Sequence, residues 1–282
     1  HHRNSNKKQL HRIWKESFLN WLGERSFGNI IAFAYRNLMF TKRNLFVFAE
    51  ILFWPMVSLF SVGLMGDFLR LEDLTLSFIL TGAITQGVIQ VTQLDVSYSL
   101  LYDIWSKSVK HTFLAPVKEY QYLIGSWFIG ILRGSAVFII LSQCARIIFG
   151  YQLPRIVPVL IFLTGLYLCA LIIGMSVCSL VLFFGQRVEV TAWSLAIFLM
   201  LISGIYYPIS MLPGPFPTIA EFIPITYFLE YIRSFHRFTP VLDHLLIKGF
   251  GLGIMYFFIL RFTIYLATKK ACRSGMILRL SE

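Results

Sequence analysis

Residues 203–233, SGIYYPISMLPGPFPTIAEFIPITYFLEYIR, decide how this chain is read. Six of its ten prolines fall between Pro208 and Pro240, directly after a long apolar run. Proline lacks an amide hydrogen and breaks a helix interior, so residues 211–236 do not read as one membrane-crossing helix. The stretch is nevertheless too apolar for a solvated loop. Irregular backbone at membrane depth persists only where protein buries it or where it lines a cavity. The spacing predicts two short helices that dip into one leaflet. Thr218 and Glu221 in TIAE read as a capping box for the first. Pro224 breaks that helix and opens a second, which carries Glu230, Arg233 and Arg237 near one face. A compact helix pair outside the membrane is the plainer alternative.

The rest of the chain places this stretch among membrane spans. Of 282 residues, 57% are hydrophobic and 14% are charged, against about 25% charged in an average soluble domain. The mean hydropathy is +0.69. Apolar runs predict six spans, at about 45–65, 76–97, 121–149, 156–183, 190–210 and 241–267, each near the length that crosses a hydrocarbon core. The expected fold is an all-α membrane protein with six transmembrane helices and the re-entrant pair, about 211–236, between spans five and six. Residues 7–25 repeat apolar side chains at helical spacing and predict an amphipathic helix in the interface. A second amphipathic stretch, 30–40, leads to the first span. This divides the chain into an interfacial region (1–44), a transmembrane domain (45–267) with a loop at about 99–119, and a tail (268–282). His1 and His2 are set aside as a possible tag remnant.

The net charge of +11 raises nucleic acid as a partner, but its placement argues for membrane lipid. Nine basic residues lie between Arg3 and Arg43, and Lys269, Lys270, Arg273 and Arg279 lie in the tail. Lys107, Lys110 and Lys118 follow span two, whereas Arg70 stands alone after span one. By the positive-inside rule both termini are cytoplasmic. The four cysteines show neither metal-ligand spacing nor a disulfide framework.

The 203–233 stretch resembles the carboxy-terminal signature of ABC-2 type transporter permeases. It carries Ser203, Gly204, Tyr206, Tyr207 and Pro208, then Leu212 and Pro213, then Pro224, Thr226, Tyr227 and a closing Arg233. The first span with Pro55 and Gly63, and the loop LLYDIWSKSVKHTFLAPVKEYQYLIG at 100–125, are similar to the same family. The resemblance implies the permease subunit of an ATP-binding-cassette exporter in the plasma (inner) membrane, working as a dimer, most simply a homodimer. The cargo implied is amphiphilic: a lipid-linked glycan or polysaccharide, or a hydrophobic drug-like compound. The chain contains no G-x-x-x-x-G-K-[ST], so ATP and Mg would sit on two copies of a separate ATPase subunit. No cofactor is expected in this chain, and it is not expected to be an enzyme.

Two residue groups are candidates for the work. A cytoplasmic loop helix around 102–112, with Tyr102, Asp103, Ile104, Trp105 and Lys107, would dock the ATPase, with residues 185–189 as a second contact. In span two Gln86, Gln90 and Gln93 share one helical face. Arg133 of span three is expected at the height of Gln86, pairing with Gln86 or Gln90 rather than with Asp95. Polar groups inside a membrane are costly and face a bundle interior or a cavity. These residues either line the translocation path or brace its wall. Tyr206 and Tyr207 are candidates for an outer gate. An autonomous channel or an ion-coupled carrier is the alternative function.

Overall fold

The computed structural model describes residues 28–39, 45–105, 119–185 and 190–273. The expected interfacial helix at 7–25, the basic run 41–44, Lys107 with the rest of 106–118, residues 186–189 and the tail from 274 lie outside them. All regular structure among the described residues is helical. In chain order the elements are α1 (28–39), α2 (Leu45–Phe68), α3 (Asp73–Trp105), α4 (Glu119–Phe149), α5 (Ile156–Phe184) and α6 (Thr191–Ile202). A 3₁₀ turn at Ile209–Met211 then precedes α7 (Phe216–Ala220), α8 (Pro224–Ser234) and α9 (Leu245–Arg273).

Five helices (α2, α3, α4, α5 and α9) are long and apolar enough to cross a membrane. That suits a multi-pass membrane protein. The segment expected as the fifth span contains only the 12 residues of α6, a rise of about 18 Å. The helix stops where Gly204 adopts a left-handed φ of 76°, a conformation glycine enters without a Cβ penalty.

Helix α3 is the axis of the bundle. In its apolar window 72% of residues are buried, against 22% in α2 and 17% in α9. It packs on α4, α5 and α2. Small residues permit this, because backbones approach closely only where side chains are short. Gly87 leaves room for Pro55 of α2 and Leu141 of α4, and Gly174 of α5 leaves room for Val96. Helix α3 also runs eight residues past the expected end at Ser97. Val96, Leu100 and Ile104, one turn apart, stay buried against Leu182 of α5 and Ala267 of α9, so the apolar stripe carries the helix on to Trp105. The start of the expected loop helix is therefore the last turn of α3.

Two local expectations fail in the proline-rich segment. Thr218 lies inside α7, whose N-cap is Pro215, and no side chain caps the helix. Pro217 at its second position has no amide to cap. Arg237 lies beyond the end of α8 with a φ of 67°, so it does not share the face of Glu230 and Arg233.

Candidate functional site

The break after α6 leaves helix-terminal carbonyls without intrahelical partners. Side chains bond to these and to the carbonyls of the break that follows. Tyr207 Oη donates to the Leu201 carbonyl at 2.7 Å. Arg233 of α8 donates through Nη1 to Gly204 O at 2.8 Å and through Nη2 to Ile205 O. Nη2 also reaches Phe78 O of α3 at 3.3 Å, and the guanidinium lies 3.4 Å from the centre of the Phe78 ring. Arg233 is 4% exposed. Its positive charge sits at the negative end of a helix dipole, where a cation is favoured. Gly82 of α3 makes the arrangement possible, because a Cβ there would collide with the Ile205 carbonyl.

Glu230 holds the far end of α8. Its Oε2 accepts from the amides of Val241 at 2.7 Å and Leu242 at 3.1 Å. Burial pushes its carboxyl above the ordinary range, and the two amides oppose that shift.

Tyr206 points the other way, into the bundle. Its hydroxyl donates to Gln86 Oε1 and lies 3.1 Å from Ser58 Oγ. Ser58 donates to the same Gln86 oxygen at 3.4 Å. The break, α2 and α3 thus meet at one polar cluster. Gln86 and Tyr206, singled out separately from the sequence, are partners. Gln93 is not part of this group; it is fully buried and accepts from Ser97 Oγ at 3.1 Å.

Arg133 corrects the sequence reading: its Nη1 pairs with Asp95 Oδ1, the partner that reading set aside in favour of Gln86 or Gln90. The cause is the length of α3. Asp95 lies ten residues inside Trp105, about 15 Å from the helix end rather than near it. That brings it within about 6 Å of the height of Arg133, which lies 14 residues, about 21 Å, into α4, a gap that a long arginine side chain spans. Gly130 and Gly134 on α4 clear the approach, since a Cβ at either would press on Thr92. Arg133 Nη2 also donates to Asn37 O of α1 at 3.2 Å. Asp95, Arg133 and Gln90 border a cavity of about 100 Å³ between α2, α3, α4 and α6.

The next residue along α1 makes a second ion pair. Arg36 Nη1 donates to Asp103 Oδ1 at 2.8 Å, and Arg36 Nη2 reaches Ser99 O at 3.5 Å. Asn37 Nδ2 donates to Ser126 Oγ at 2.7 Å. Of the expected docking residues, Asp103 therefore faces α1 and Ile104 is in the core. Trp105 is 42% exposed and packs edge-on with Tyr98 and Tyr102. The sequence reading missed Arg36, Ser58 and Gly82. Arg36 carried a signal, as the one charged residue in the apolar stretch 30–40. Among the described residues no group of three His, Cys, Asp or Glu side chains could hold a metal ion.

No protein-family model matches the chain. Over 49 residues it is 53% identical to an uncharacterized protein of Archaeoglobus fulgidus, a match covering 17% of this chain and 77% of that protein.

Proposed function

We propose that this chain, which belongs to the same family as that uncharacterized archaeal protein, is the membrane-embedded permease subunit of an ABC-2 type exporter. It moves an amphiphilic substrate, a lipid-linked glycan or polysaccharide or a hydrophobic drug-like compound, across the plasma (inner) membrane. In this reading α6 is a short fifth span and α9 the sixth, α7 and α8 dip back from the outer face between them, and both termini are cytoplasmic. Two permeases, as a homodimer, work with two ATPase subunits that carry ATP and Mg. Tyr206 and Gln86 form the outer closure, and Gln90 with Arg133 borders the inner part of the path.

The observation that carries the reading is the backbone break at 203–208 with its return to α3 through Arg233. The signature residues of the resemblance are the ones that make and hold it. Gly204 turns the chain, Tyr206 and Tyr207 bond to either side, and Arg233 closes it. A break of this kind at membrane depth suits a cavity wall better than a static bundle.

Trp105, at the exposed end of α3, is the docking residue to test, because Asp103 is committed to Arg36. Trp105→Glu is expected to abolish co-purification of the ATPase while the permease stays folded. Undiminished co-purification would remove the docking assignment. Cargo-stimulated ATP hydrolysis by the reconstituted pair tests the function itself, and a pair whose hydrolysis ignores every amphiphile offered would contradict it. The buried Arg133–Asp95 pair favours one second reading, an autonomous channel or ion-coupled carrier, since intramembrane ion pairs mark ion pathways. Flux through purified permease without any ATPase would favour that reading.

A further inference from the structure

The cavity beside Asp95 is bordered by Trp54, Trp193, Tyr98 and Tyr102. Asp95 is 8% exposed. Arg133 satisfies its Oδ1, but among the described residues nothing donates to Oδ2. A buried acceptor without a donor is costly, so an occupant that supplies an N–H or O–H is favoured. Four aromatic rings around the same space favour a cation over a neutral donor. The Arg133–Asp95 pair is neutral as a unit, so the bare Oδ2 and the surrounding rings decide which occupant is favoured. The remaining wall is the side-chain amide of Gln90 and the apolar side chains Ile51, Pro55, Val91 and Leu94.

A donor for Oδ2, positive charge against rings and an alkyl body along apolar walls together describe a protonated amine. A quaternary ammonium has no N–H to give, an alcohol has no charge, and an anion would face the carboxylate. We propose that this cavity binds the primary or secondary ammonium group of an amphiphilic substrate, its N–H on Asp95 Oδ2 and its charge against the surrounding rings. The inference rests on the permease reading and narrows its cargo to amine-bearing amphiphiles. The cavity lies on the Trp105 side of the bundle, where that reading has cargo enter.

Purified permease in lipid nanodiscs, without ATPase, is titrated with n-butylammonium, and tryptophan fluorescence is followed. Trp54 and Trp193 line the cavity and report on it. n-Butanol, butyrate and tetramethylammonium are the comparators. A saturable response to n-butylammonium is expected, with affinity at least about tenfold above each comparator. Asp95→Asn is expected to remove the preference for the ammonium. Should that variant fail to fold with Arg133 unpaired, Trp193→Leu is the second arm, with binding about threefold to tenfold weaker. Equal binding of n-butanol or tetramethylammonium, or no binding because the cavity holds water alone, would overturn the site. Trp193→Leu binding as tightly as the parent would overturn the aromatic contribution and the site with it. A negative titration leaves the exporter reading intact, whereas loss of ATPase partnership sinks that reading and leaves ammonium binding untouched.

Discussion

Arg133 and Arg233 are both guanidiniums drawn into an apolar bundle, and they are neutralised in different ways. Arg133 meets a carboxylate, Asp95, and also donates to a main-chain carbonyl. Arg233 bonds to carbonyls alone, at Gly204, Ile205 and Phe78, with an aromatic ring against its face. The first is a side-chain pair whose two members can be exchanged together. The second substitutes for helical hydrogen bonds that the backbone has given up, and no substitution elsewhere can take back those carbonyls. The Arg133 site is thus replaceable as a unit, and the Arg233 site is built into the course of the main chain.

The largest expected effect attacks the Arg233 site at its closest approach. Gly82→Val would drive a side chain into the Ile205 carbonyl, and the break cannot move away without losing Arg233. Little or no folded protein is expected by size-exclusion chromatography in detergent, and a normal monodisperse peak would break the contrast. Next come the arginines themselves. Arg133→Met leaves Asp95 buried and unpaired and should cost about 3 to 5 kcal/mol in thermal or denaturant unfolding. The double variant Arg133→Met with Asp95→Leu should recover most of that loss, since replacing both members of a buried pair is often neutral. Arg233→Met should cost about as much, at roughly 1 to 3 kcal/mol per orphaned carbonyl before relaxation, and pairing it with Glu230→Leu should restore nothing. Recovery in the second pair, or none in the first, would show that the two sites are alike. The smallest effect sharpens the picture of the closure: Tyr206→Phe removes the bonds to Gln86 and Ser58 and should cost about 1 kcal/mol, while a loss as large as that of Arg233→Met would make Tyr206 part of the backbone lock.

The helical class and the long apolar helices were legible because each depends on local composition. The break was less so: the expected fifth span runs on to about 210, whereas the chain already turns at Gly204. Partners across helices were less legible, because they depend on where helices end. Placing the end of α3 at Ser97 instead of Trp105 misplaces its residues by about 12 Å of depth, enough to give Arg133 the wrong partner. The TIAE motif misled for another reason, since Pro215 and Pro217 start α7 before Thr218 can cap it. Asp103 looked available for docking because nothing in a local pattern shows that Arg36, 67 residues away, would reach it.

Helix α3 presents Gly82 to the break, Asp95 to Arg133 and Asp103 to Arg36 without interruption. Each residue added to a helix turns everything beyond it by about 100°. The contact at Gly82 and the two charge pairs are consequently held in one fixed angular relation. Twisting the rod to loosen either end must disturb the other, and mutations that lengthen or shorten it between residues 82 and 103 have no way to leave both ends in step.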